Sequence, residues 1–256
     1  IPGEGTEDYI DRGVEYHNAQ IAAGSGVSAN LLFFDVESGL MVAEYLNNYE
    51  TMTPCAFTSI AGAASRAGMA FKKLHSSKPF KFRFELFNMI DEYIGILNTL
   101  KANLPNGYND VLNEAFTIRS VLAKNPVDLK PCHCDPLCEN FLDNGEKMWI
   151  VDWEYSGMND PMWDLGDLSV EAGFSAHNDR EMMEAYFDGS PPASQFGRMV
   201  IYKAMSDLLW TLWGLIQHAN NNPADDFLQY AQNRFTRCKA LMATSEFSNH
   251  VKCVAD

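Results

Sequence analysis

Basic residues are scarce in this 256-residue chain: 19 Lys and Arg stand against 34 Asp and Glu, a formal charge of −15. Affinity for nucleic acid comes largely from Lys and Arg neutralising phosphates, so the deficit argues against a nucleic-acid partner. An acidic cleft suits a small cationic molecule better. Long apolar runs are missing too. None approaches the roughly 20 residues of a membrane helix, and nothing at the start resembles a signal peptide, so the reading is a cytoplasmic protein without a membrane span. Six cysteines are too few for a disulfide scaffold at this length, and reduced thiols are expected. Cys132, Cys134 and Cys138 cluster, but their spacing does not match that of zinc-binding pairs, which leaves small, buried, inert thiols. Internal repeats, low-complexity tracts and long linkers are absent as well.

What is present is the composition of an ordinary globular protein, 46% hydrophobic and 21% charged, long enough for one large domain or two lobes. Apolar residues at helical spacing predict helices over Glu7 to Ala23, Thr53 to His75, Phe84 to Leu104, Asn109 to Lys124, Ser194 to Asn220 and Pro223 to Leu241. Two short apolar runs, Leu31 to Phe34 and Leu40 to Ala43, predict a hairpin.

The most informative stretch runs from Pro131 to Glu154. It carries His133, Asp135 and Asn140, then Asp143-Asn144-Gly145, then an apolar run ending on Asp152. An Asn-Gly turn between apolar runs is a strong hairpin signal. Such a hairpin returns Asp152 to the neighbourhood of Asn140 and Asp135. One carboxylate can then take a hydroxyl proton, while an amide oxygen and a second carboxylate suit a hard cation, the set that phosphoryl transfer needs. His133 is expected to support the loop rather than to react.

His133-x-Asp135-x-x-x-x-Asn140 followed by Asp152-Trp153-Glu154-Tyr155 resembles the catalytic and metal loops of the choline and ethanolamine kinase family, within the wider aminoglycoside phosphotransferase and protein-kinase-like superfamily. The resemblance implies an α+β, protein-kinase-like two-lobed fold with a truncated N-terminal lobe and a mostly helical C-terminal lobe. Residues 1–47 would be the remnant of the nucleotide-binding lobe and hinge, and 48–256 the catalytic and substrate-binding lobe. It also implies ATP and magnesium as cofactors, with transfer of the γ-phosphoryl group to the hydroxyl of choline or ethanolamine. Asp135 would be the base, and Asn140 and Asp152 the magnesium ligands. Asp164 would be structural, orienting backbone amides near His133. Glu44 and Leu46 would lie at the hinge beside the adenine. Glu15 would be the small-lobe helix glutamate that pairs with a cation on the preceding strand.

On the acceptor side, Trp210 and Trp213 lie three apart on one predicted helical face. The family uses a similar Trp pair to hold a trimethylammonium group. A quaternary ammonium has no N–H to donate, and aromatic faces hold it at roughly 0.5–2 kcal/mol each. Glu171 falls where the family has an acid, Phe174 where it has a Tyr, and Tyr155 is a further wall. Two rivals stand beside this reading. An aminoglycoside or other small-alcohol phosphotransferase would want several acids and few aromatics, and a non-catalytic kinase-like binding module would not need the complete Asp135, Asn140 and Asp152 set. The family also carries a phosphate-covering loop and a basic strand upstream of the first helix, so the natural protein is expected to have further N-terminal residues.

Overall fold

Asp11 starts the first helix. Its side chain accepts from the backbone N–H groups of Gly13 and Val14, two of the donors that a helix start leaves free. Helix α1 therefore runs Arg12–Ser25 and stops at Gly26, which takes a left-handed φ of 76°. The expected start at Glu7 lies outside the residues that this computed structural model describes, 10–255. The chain forms two compact units. One runs to Phe84 and resumes over Asp128–Pro191, and the other comprises Glu85–Val127 and Pro192 onward.

In the first unit the expected hairpin forms from β1 (Leu31–Asp35) and β2 (Leu40–Ala43). The single helix expected over Thr53 to His75 is instead two, α2 (Pro54–Ser59) and α3 (Ala63–His75). Thr53 caps the first, and Gly62, at φ 76°, breaks the chain between them. A left-handed residue cannot sit inside a helix, and glycine adopts it without strain. Arg66, in the first turn of α3, reaches the Ala61 carbonyl oxygen at 3.1 Å and pairs with both oxygens of buried Asp143 at 2.7 and 2.5 Å. That bidentate pair ties α3 to a three-stranded sheet of order β3-β5-β6, built from Glu50–Thr51, Phe141–Asp143 and Met148–Ile150. A second small sheet pairs β4 (Lys130–Cys132) with β7 (Gly157–Asn159).

Two helices complete this unit, α6 (Met162–Glu171) and α7 (Ala176–Phe187). Neither was predicted. Helix α6 is buried at every position from Met162 to Val170, so it has no polar face to create a period. Helix α7 begins with a Ser175–Asn178 capping box, its one legible signal. Helix α3 packs on α7, and at Gly68 an added Cβ would be driven into the Met182 carbonyl oxygen. Gly68→Ala is therefore expected to destabilise the protein by about 3 kcal/mol, read as a lower urea midpoint at unchanged slope.

The second unit is helical: α4 (Leu86–Leu100), α5 (Tyr108–Lys124), α8 (Ala193–Ala219), α9 (Phe227–Met242) and α10 (Ser245–Ala255). The last was not predicted, and α9 starts four residues later than expected because Asp226 caps it at the Gln229 N–H. Helix α8 is long and apolar enough to cross a membrane, yet most of its apolar stretch is buried within the protein, as in a core helix. Gly214 and Gly197 let α9 and α10 approach it closely, at Tyr230 and at the His250 carbonyl. Buried Asp207 on α8 is met by Arg237 at 2.7 and 2.5 Å and by Arg234 at 3.4 Å, both from α9.

Candidate active site

The loop after β4 is held by a network converging on Asp164 of α6. Its carboxylate accepts from the backbone N–H groups of His133 (2.7 Å) and Cys134 (2.9 Å). Trp163, the preceding residue, donates its indole N–H to the Cys134 carbonyl at 3.1 Å. Cys134 is thus gripped on both peptide sides in a left-handed conformation, φ 69°, which costs about 1–3 kcal/mol outside glycine and persists only where surroundings impose it. The reversal turns the chain toward Asp135, which is half-buried.

His133 is fully buried and bridges two segments of the site. Its Nδ1 accepts from the Asp135 N–H at 3.3 Å, which leaves Nε2–H to donate to the Val151 carbonyl at 2.9 Å. The ring thus links the residue carrying the candidate base to the residue before Asp152. From the other side, the Asn140 Nδ2 donates to the Asp135 carbonyl at 3.1 Å, and the Val151 N–H donates to the Asn140 carbonyl at 2.9 Å. A single 3-10 turn, Cys138–Asn140, and the hairpin β5–β6 produce this return, with Phe141 opposite Ile150. Asp152 is exposed and, like Cys134, takes a left-handed φ of 69°.

These oxygens can be tested for a hard cation. With Nδ2 of Asn140 committed to Asp135, its side-chain oxygen remains an acceptor. The Asp152 carboxylate has no hydrogen-bond or ion-pair partner among the described residues. One amide oxygen and one uncommitted carboxylate at the ends of a hairpin fit magnesium, which takes a few protein oxygens and fills its shell with water and phosphate.

The family model for choline/ethanolamine kinase matches residues 1–198. The chain belongs to the choline/ethanolamine kinase family. A choline/ethanolamine kinase family protein from Mesorhizobium loti is 57% identical, with a TM-score of 0.96 over 100% of this chain and 85% of that one. The choline kinase LicA from Streptococcus pneumoniae is 29% identical, TM-score 0.78, over 95% and 84%. A LicA structure in complex with AMP is 30% identical, TM-score 0.75, over 94% and 82%. This member of the choline/ethanolamine kinase family accordingly has the kinase-like α+β fold and is a small-molecule phosphotransferase.

Several residues that support the kinase loop left no mark in the sequence. His75, in the last turn of α3, donates from Nε2 to Asp164 at 3.0 Å, and the Tyr186 hydroxyl of α7 lies 2.9 Å from its Nδ1. Asp164 is thus buttressed from two helices. The ligand atoms of His75, Cys132 and Asp164 lie within 4.8 Å of one another. They form a hydrogen-bonded cluster rather than a metal centre: the Asp164 oxygens are already taken, and burial pushes the Cys132 thiol well up, so no thiolate is available. Burial likewise raises the Cys134 thiol, and burial with the charges of Glu139 and Glu171 pushes that of Cys138 up to about 12.

Of the other residues singled out in the sequence, Glu15 is buried on α1 and pairs at 2.7 Å with Arg12 of its own helix. The same guanidinium reaches Glu154 at 3.3 Å. Burial raises the Glu154 carboxyl, nearby Asp152 adds to this, and Arg12 opposes it. Arg12 had no signal beyond its charge. Glu44 is exposed, its N–H bonded to the Asn30 carbonyl and its carboxylate to the Asn30 amide, and Leu46 and Tyr155 are half-buried. Glu171 ends α6 half-buried, while Phe174 is buried edge-on against Phe57. In the second unit Trp210 and Trp213 meet edge to face, with centroids 6.2 Å apart. Trp213 also meets Phe227 at 5.3 Å and Tyr230 at 5.9 Å, two rings of α9.

Proposed function

We propose that this protein transfers the γ-phosphoryl group of ATP to the hydroxyl of an amino alcohol, with choline the preferred acceptor and ethanolamine the nearest competitor. The observation that carries the reading is the His133 bridge, which ties the backbone of Asp135 to that of Val151, the residue before Asp152, while Asn140 closes the loop from the other side. Asp135 orients the acceptor hydroxyl and takes its proton. Asn140 and Asp152 would hold magnesium, which when bound neutralises charge on the β- and γ-phosphate oxygens. His133 and Asp164 keep the base in position without touching substrate. Glu154, held by Arg12, adds carboxylate charge beside Asp152. Glu44 and Leu46 would meet the adenine in a hinge that ends a nucleotide-binding segment near residue 47. Dependence on ATP implies a cytoplasmic enzyme.

The choice of choline rests on the ring cluster of Trp210, Trp213, Phe227 and Tyr230, since faces of this kind hold a cation that cannot donate hydrogen bonds. Glu171, Phe174 and Tyr155 enter this reading through the family resemblance, as an acid and two aromatic rings suited to an amino alcohol. Trp213→Ala is expected to raise KM for choline roughly 3- to 30-fold with a smaller change in kcat, since it removes binding shared by ground and transition states. Trp213→Phe should restore part of the loss, and KM for ethanolamine should move less. Steady-state kinetics with both acceptors measures this. Magnesium-dependent ATP consumption screened against choline, ethanolamine and an aminoglycoside tests the whole assignment, and turnover only with the aminoglycoside refutes it.

A further inference from the structure

A pocket of about 580 Å³ opens between α1 and the end of α3. Its polar lining includes His17, Gln20, Lys73, Ser76, Ser77 and Lys78, with no carboxylate, and none of Asp135, Asn140 or Asp152 borders it. In a chain with 34 acidic and 19 basic residues, a cavity whose charged lining is Lys73 and Lys78, with no acid, is a local inversion of charge. Helix ends explain part of it: both helices finish here, and carbonyl ends favour nearby cations by about 0.3–1 kcal/mol each. Lys73 meets that demand through the Gly26 carbonyl at 3.3 Å. Lys78 lies beyond the end of α3 and His17 in the middle of α1, so neither is needed for it. Neither has a hydrogen-bond or ion-pair partner among the described residues.

Lysines outside the lining add to the positive charge nearby, Lys81 acting on His17 and Lys147 standing near Lys73. Burial and the charge of Lys81 lower the His17 imidazole below its usual range, and burial and the charge of Lys73 do the same to Lys147. Like charges gathered around a concave space favour a counter-anion in it. The volume falls within the range of small-molecule sites. We propose that this pocket binds a small phosphate-bearing anion, with Lys73 and Lys78 as the charged donors and His17 beside them, as a site separate from the phosphoryl-transfer centre.

The test follows the His17 imidazole by proton–carbon NMR in the full-length protein, the signal being identified by its loss in His17→Asn. Inorganic phosphate is titrated against chloride at constant ionic strength without magnesium. A saturable shift of His17 is expected. Lys78→Gln should weaken it, and the Lys73→Gln/Lys78→Gln pair should raise the apparent Kd by at least about tenfold, since one charge-assisted hydrogen bond is worth roughly that. No shift, or a linear one that is equal in wild type and both variants, overturns the proposal. So does lysine-dependent binding to vesicles containing phosphatidic acid with no response to free phosphate, which would assign the charge to a lipid surface.

Discussion

Asp135→Asn is expected to lower kcat for choline phosphorylation by roughly 10²–10⁴-fold, the usual contribution of a positioned general base. Asn keeps the size and the hydrogen-bonding reach of the side chain but cannot accept the hydroxyl proton. The loop itself should survive the change. Its geometry is fixed by the backbone N–H and carbonyl of Asp135, bonded to His133 and Asn140, and by the Asp164 clamp. The urea midpoint should therefore stay close to wild type, and KM for choline should change much less than kcat. A near-normal kcat would remove Asp135 from the chemistry.

Asp164→Asn should give the opposite pattern, a large loss of both stability and rate. Asp164 is fully buried and accepts from the His133 and Cys134 amides and from His75. Replacing one oxygen with an NH₂ group turns a donor toward a donor and leaves at least one buried N–H unpaired, at about 1–3 kcal/mol for each group affected. The pairing with His75 weakens as well, so a total loss of about 3 kcal/mol or more is expected in urea unfolding. The left-handed turn at Cys134 depends on the same bonds, and once it relaxes Asp135 loses its position. In the protein that remains folded, kcat should fall at least tenfold, since small misplacements of a reacting group are costly. A stable variant with intact kcat would show that the clamp does not hold the base.

The Asp135–Asn140–Asp152 hairpin was legible because its determinants are local: an Asn-Gly turn, two apolar runs and a fixed spacing. The scaffold helices α4, α5 and α8 were legible through their periods to within a few residues. What was not legible depends on contacts distant in sequence or on burial from all sides. His75 lies 89 residues before its partner Asp164, and nothing in its helix distinguishes it from another terminal histidine. Helix α6 has no polar face to reveal it. The break at Gly62 is a left-handed turn fixed by Arg66 reaching Asp143, 77 residues away. For the aromatic cluster, the spacing of Trp210 and Trp213 was visible, whereas Phe227 and Tyr230 join it only through the packing of α9 on α8.

The most direct measurement is a phosphorus NMR time course of the full-length protein with ATP and magnesium, using choline, ethanolamine or an aminoglycoside as acceptor. The account predicts phosphocholine as the fastest-forming product, phosphoethanolamine more slowly, and neither with Asp135→Asn on the same timescale. ATP hydrolysis indifferent to the acceptor, faster phosphorylation of the aminoglycoside, or no turnover with any of the three would contradict it.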